Sequence, residues 1–301
     1  MTVDEVRRAR AYLSRVVQPP VSAELAALIA DEGAVGAARL VAGGHTPFRS
    51  SGPGLVERAE ADLAAIAALG GRLVIPGDDE WPTEAFVCFG SPDAVHDPRW
   101  AEPIALWVLG AGRLEELTTR AVAMTGARAA TGYGEHVAAD VGYGLAEAGL
   151  TVITGGGFGI DAAAHRGALA VEDGRTIAVQ ARGLDAAYPS GHDRLFRQVA
   201  ARGVLLSEYP PGVRPSRERF LVRHRLIAAL TAGTVMVEAG VRSGARRTVA
   251  AAAALGKPVM AVPGPVTSAL SAGSHLEIRE RRAVLVTSAR DVIEQIGDGK
   301  R

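Results

Sequence analysis

Residues Thr151–His165 read TVITGGGFGIDAAAH, and their composition changes twice within fifteen positions. Thr151–Thr154 are β-branched and apolar, as a short buried strand requires. Four glycines follow within five positions, Gly155, Gly156, Gly157 and Gly159, and the chain then turns Ala-rich and helical from Asp161. A strand, a glycine turn and a helix make half of a βαβ unit, and the sequence on either side repeats the pattern. From Ala121 onward seven short apolar runs alternate with helical segments: AVAMTGAR, TVITGGG, TIAVQARG, VLLSEYP, TVMVEAG, PVMAVPG and AVLVTSA. Between the first two, Val137, Val141, Leu145 and Ala148 fall at helical spacing on one apolar face. Near-continuous apolar strands alternating with helices predict an α/β fold, a doubly wound and mostly parallel sheet covered on both sides. Ligands of such sheets sit beyond the carboxyl ends of the strands, where strand order reverses.

Two more strand-like runs, RLVIPGDDEWP and IALWVLG, precede this body. Residues 1–70 read as a small helical domain, with Leu25, Leu28 and Ile29 on one stripe and FRSSGPG, Phe48–Gly54, as a loop. Residues 71–297 form the main domain, and 298–301 a short tail. The acidic turn Asp78, Asp79, Glu80 is expected to be solvated.

With 301 residues, 48% hydrophobic and 22% charged, the chain can bury a large core. Cys88 is its only cysteine, which excludes an intrachain disulfide or a cysteine-based zinc site and favours a reducing compartment. The first residues, MTVDEVRRARAYLSRVV, are too charged for a secretion signal, and no run approaches the roughly 20 apolar residues of a membrane span. A cytoplasmic protein without membrane contact is expected. Formal net charge is +0, so local charge has to identify any anionic partner. Lys257 and Lys300 are the only lysines among 33 basic residues, and the rest are arginines, suited to bidentate phosphate contacts.

The glycine loop is not a dinucleotide fingerprint: Ile160 stands where the third glycine belongs, and Gln180–Arg182 offers no acid for a ribose. GARAATGYG, Gly126–Gly134, lacks the lysine of an ATP-binding loop. Neither cofactor is expected. What remains is a turn whose backbone amides and helix N-terminus suit an anionic oxygen, with Arg128 at the preceding strand's end. A second concentration of charge lies between Pro211 and Arg247, where eight arginines against Glu218 and Glu238 leave a local charge of +6. Phe220 and His224 are interleaved there, and cations mixed with flat rings suit single-stranded nucleic acid. Asp161 and His165 sit four apart on one helical face, but an Asp in a helix's first turn reads as a dipole and capping residue rather than a metal ligand. Ser190-Gly191-His192 and Ser207-Glu208 form no G-x-S-x-G elbow or triad.

In order along the chain, these blocks resemble the DprA/Smf family of bacterial DNA-processing proteins. GDDEWP (Gly77–Pro82) resembles G-D-x-x-Y-P, and GARAATGYG resembles G-S-R-x-A-T-x-Y-G. TGGGFGIDAAAHRGAL resembles S-G-L-A-x-G-I-D-x-x-A-H-x-G-A-L. GLDAAYP and LLSEYPPG follow, then RHRLIAAL against R-N-R-I-I-A-G-L, VEAGVRSGARRT against V-E-A-x-x-x-S-G-S-x-x-T, and AVPG.

The resemblance implies an extended Rossmann-like domain over 71–297, preceded by a SAM- or helix-hairpin-like domain over 1–70. It also implies a homodimer that binds single-stranded DNA without strong sequence preference and loads the RecA recombinase during natural transformation, with no catalysis. Carried over position by position, Gly126 and Arg128 hold phosphate, Gly155, Gly156, Gly157 and Gly159 line the same pocket, and Arg223, Arg225, Arg242, Ser243 and Gly244 extend the groove. Ala127 replaces the family's Ser, His224 its Asn and Ala245 its second Ser; GSHLEIRERRA replaces G-T-N-x-L-I-R-x-G-A; and no winged-helix domain is expected in 298–301. Two other readings stay open. The LOG-type phosphoribohydrolases also follow a strand with a G-G-G loop and cleave nucleoside monophosphates, although EAGVRSGARRT lacks their P-G-G-x-G-T-x-x-E motif. A diverged family member acting as a protein-interaction module is the third.

Overall fold

A computed structural model describes residues 2–17, 19, 21, 23–48, 55–90 and 100–297. The tail expected at 298–301, Pro20 and most of the FRSSGPG loop lie outside the described residues. Among the described residues nine strands form one sheet: β1 Gly71–Val74, β2 Leu106–Leu109, β3 Ala121–Thr125, β4 Thr151–Thr154, β5 Thr176–Gln180, β6 Val204–Ser207, β7 Gly233–Met236, β8 Val259–Ala261 and β9 Val284–Leu285. Their spatial order is β1-β2-β6-β5-β4-β3-β7-β8-β9. β1 and β2 pair antiparallel, as do β2 and β6, and every other pair is parallel. All seven apolar runs after Ala121 are strands, and the doubly wound α/β expectation holds.

The helices are α1 Val3–Val16, α2 Ala23–Ala42, α3 Leu55–Ala68, α4 Thr83–Phe86, α5 Leu114–Thr119, α6 Gly132–Glu147, α7 Ile160–Ala170, α8 Asp193–Arg202, α9 Arg217–Ala229, α10 Ala245–Ala254, α11 Ala272–Arg279 and α12 Ala289–Ile296. None is long and apolar enough to cross a membrane. Successive strand residues point to opposite faces, and each face has its own cover. Ala121 and Ala123 of β3, with Ile153, Val179 and Met236, meet Leu226 and Leu230 of α9 and its surroundings, and Val249 of α10. Val122 and Met124, one residue out of step, meet Val141 and Leu145 of α6, Ile160 and Ala164 of α7, and Val292 of α12. The buried face of α6 is Ala138, Val141, Gly142, Leu145 and Ala146. Of the stripe expected at Val137, Val141, Leu145 and Ala148, the first three pack on this core, and Ala148, past the helix end, is exposed.

A third cluster joins the N-terminal helices to the body. Ala11, Tyr12 and Leu13 of α1, Leu25 of α2 and Ile66 of α3 pack in one core with Trp107, Ala178 and Phe196. Polar ties reinforce it: Arg10 donates to the Ile104 carbonyl at 2.6 Å, and Arg15 bridges Asp62 and the Pro211 carbonyl. In the acidic turn Asp79 is exposed, as expected, but its two neighbours are half-buried and paired. Asp78 pairs with Arg7 at 2.7 Å and accepts from the Ile75 amide, while Glu80 pairs with Arg72 at 2.5 Å.

Candidate nucleic-acid interface

β3 lies between β4 and β7, so chain order reverses there and the loops leaving the three strands diverge around a crevice. The loop after β3 is tied to the end of β7: the Ala127 amide donates to the Glu238 carbonyl at 2.6 Å. The Glu238 carboxylate, only 2% exposed, accepts from the Thr131 amide and hydroxyl, both at 2.8 Å. Thr131 in turn caps α6 by accepting from the Gly134 amide. Across the crevice, Gly159 starts α7 at φ 69, in the left-handed region that favours glycine, with the Ala127 and Arg128 carbonyls packed where a Cβ would point.

Gly155 is required by close approach. A Cβ there would collide with the Arg223 guanidinium, whose Nη1 donates to the Gly155 carbonyl at 2.8 Å and the Val179 carbonyl at 3.1 Å. Arg223 is 8% exposed; burial, partly opposed by Asp161, pushes its pKa down to about 10, and it remains a cation at neutral pH. Phe220 lies one helical turn before it, with the Arg223 and Arg128 guanidiniums 5.1 Å and 5.2 Å from its ring centroid. His224 hydrogen-bonds through Nδ1 to the Thr248 hydroxyl at 2.7 Å. Burial first, then the charge of Arg223, pushes its pKa to about 3, so this ring is neutral.

These groups surround a cavity of about 600 Å³ at the crevice. Gly126, Arg128, Gly155, Arg223, Arg242, Ser243 and Gly244 all line it, and Asp161 is the only acid among its lining residues. Arg128 and Arg242 are exposed. The Ser243 hydroxyl accepts from the Ala245 amide at 3.3 Å, within the turn into α10. A larger cavity, of about 680 Å³, opens at the other end of the sheet, where Asp78, Asp79, Glu84 and Glu115 make it unsuited to an anion. Its Lys257 already donates to the Ala228, Ala229 and Thr231 carbonyls.

Four expected residues are placed elsewhere. Gly156, Gly157 and Gly159 do not line the cavity. Gly156 packs toward Phe196 and its carbonyl contacts His192 Nδ1 at 3.0 Å. The Gly157 amide donates to Asp161 Oδ2 at 3.0 Å, so a carboxylate from the first turn of α7 takes the anion's place. Arg225 is 3% exposed and bonds Glu208 at 2.6 Å, with its guanidinium 5.5 Å from the Phe89 ring centroid. Two residues along a helix are about 200° apart, so Arg223 and Arg225 cannot face one groove. Other groups considered as chemical candidates also have structural partners: Ser207 donates to the Arg182 carbonyl, and His165 Nδ1 meets the Thr176 hydroxyl.

In the sequence Asp161 reads as a helix-start residue; its place in the cavity depends on the loop geometry that brings Gly157 to its carboxylate. Burial raises its pKa, against the charge of Arg223. The arrangement offers fixed cations, a flat ring and backbone without side chains around an open crevice, which suits a phosphodiester with an unstacked base.

Comparison with known proteins agrees. The family described as DNA recombination-mediator protein A matches residues 72–297. A Mycobacterium tuberculosis protein carrying the DprA name is 51% identical over 303 residues, covering 98% of this chain and 76% of its own. The X-ray structure of DNA processing protein A from Streptococcus pneumoniae superposes with a TM-score of 0.74 at 29% identity, covering 98% of this chain and 99% of the other. DNA processing protein A from Helicobacter pylori, whose structure addresses its single-stranded DNA binding mode, has a TM-score of 0.60 at 26% identity over 70% of this chain and 90% of its own. The matched residues span the sheet from β1 to α12, and this chain belongs to the DNA recombination-mediator protein A family, the DprA/Smf proteins.

Proposed function

We propose that this chain is a non-enzymatic mediator that binds single-stranded DNA across the carboxyl ends of β3, β4 and β7, protects it and delivers it to the RecA recombinase. The observation that carries the reading is the crevice at the strand-order reversal, where Phe220 lies between Arg128 and Arg223. Exposed Arg128 and Arg242 contact phosphates. Gly126, Gly155, Ser243 and Gly244 let the strand approach the backbone. Arg223 adds charge while holding the loop. Residues 71–297 are the DNA-binding unit and residues 1–70 brace it, and two copies in a cytoplasmic homodimer present two such crevices to one strand.

A fluorescein-labelled oligothymidine titrated at two salt concentrations tests this. Two phosphate contacts, by Arg128 and Arg242, predict a log–log salt slope of about −1.4 for single strands. Failure to bind, together with release of free base from a nucleoside monophosphate, would replace the proposal with a phosphoribohydrolase.

A further inference from the structure

Phe158 is the one aromatic residue of the glycine loop, and it is 50% exposed. It is not loosely held. Its ring sits edge-on to His192 with centroids 4.5 Å apart, and His192 is itself buried, packed edge-on against Phe196 and in contact with the Gly156 carbonyl at 3.0 Å. Four residues before His192, on the same connection between β5 and α8, Tyr188 is 39% exposed, with its ring centroid 5.6 Å from that of Phe220. One connection thus supports Phe158 at one end and Phe220 at the other. Arg128 closes the gap: its guanidinium lies over Phe220, and its side chain passes beside Gly157, next to Phe158.

Large rings packed against His192 and Phe220, yet left in water beside the arginines of the cavity, fit one occupant best. An unpaired nucleobase has two exposed faces and sits a few ångströms from its phosphate, whereas the bases of a duplex are stacked inside and present only edges. We infer that Phe158 and Tyr188 are base-stacking residues that make this site select unpaired over paired DNA, an assignment that rests on the crevice being the DNA site. Arg128 then holds the backbone while the rings hold successive bases on either side of it.

The test compares wild type, Phe158→Ala and Phe158→Trp by fluorescence anisotropy. The probes are a labelled oligothymidine, an oligomer of abasic units of equal length, and a duplex. Phe158→Ala is expected to weaken oligothymidine binding roughly tenfold while leaving binding of the abasic oligomer and the salt slope unchanged. Phe158→Trp is expected to restore it, because an indole offers a larger stacking face. The single-strand preference over the duplex should shrink by the same factor in Phe158→Ala. Oligothymidine binding within twofold of wild type would overturn the inference, as would equal losses on the thymidine and abasic probes, which would place Phe158 against the backbone. Wild type that binds neither single-stranded probe would overturn the DNA site itself, and the inference with it.

Discussion

Arg223 does two things with one guanidinium: it bonds the Gly155 and Val179 carbonyls, fixing the glycine loop, and it lies against the Phe220 ring, at the cavity. Its neighbour His224 shows what burial costs there. The ring's pKa is about 3 in the folded protein, against 6.5 for an exposed imidazole. Between those values the unfolded chain carries a proton that the folded chain does not, so the folded state is favoured fully above pH 6.5 and loses stability as pH falls. The loss is at most about 1.4 kcal/mol per pH unit. His165, also pushed down to about 3 by burial, acts in the same direction. Asp161 and Glu208, raised by burial, act in the opposite one. All three remain in a His224→Asn variant, so comparison with wild type isolates one ring. Urea denaturation should show wild type losing stability relative to His224→Asn as pH falls from 7 to 4.5; parallel curves would place the ring in water.

On α9 the two faces have different partners. Phe220, Arg223 and His224 fall at i, i+3 and i+4 and meet the crevice, while Arg225 turns away to the buried Glu208. Removing one member of such a pair leaves the other charge buried and uncompensated, at a cost of about 3–5 kcal/mol. Arg225→Ala should therefore lower the urea midpoint sharply while the folded protein's oligothymidine affinity stays within twofold of wild type. Arg225→Met with Glu208→Leu should recover most of the stability. A stable Arg225→Ala with weakened DNA binding would return Arg225 to the groove. That Arg223 and Arg225 face apart follows from helical spacing alone and was legible in RHRLIAAL. The strands were legible too, because strands buried on both faces have to be apolar at almost every position. Strand order was not, since pairing between β2 and β6 or β3 and β7 joins segments about a hundred residues apart. The α6 face was legible at Val137, Val141 and Leu145 but not in full, because its alanines and glycines carry little periodic signal and Gly142 is buried without any side chain to mark it. Phe158 gave no warning either: one apolar ring among glycines reads as core until the loop's geometry turns it outward.

At the scale of the whole molecule, zero net charge conceals a polarity along the strands. The carboxyl ends of β3, β4 and β7 gather Arg128, Arg223 and Arg242, while the other end carries the cavity lined by Asp78, Asp79, Glu84 and Glu115. The three-helix N-terminus shares a core with Trp107 and Phe196 and leaves the crevice open. Composition indicated helices there; that their apolar faces would pack against the sheet depended on contacts between distant segments, which periodicity does not reveal. The central claim is that single-stranded DNA is held at the reversal point through Arg128. It is tested most directly by titrating wild type and Arg128→Ala with labelled single-stranded oligonucleotides of several sequences at two salt concentrations. Loss of one phosphate contact predicts affinity weakened to a similar extent for every sequence and a salt slope shallower by about 0.7. Equal affinity and equal slope for the two proteins would contradict it.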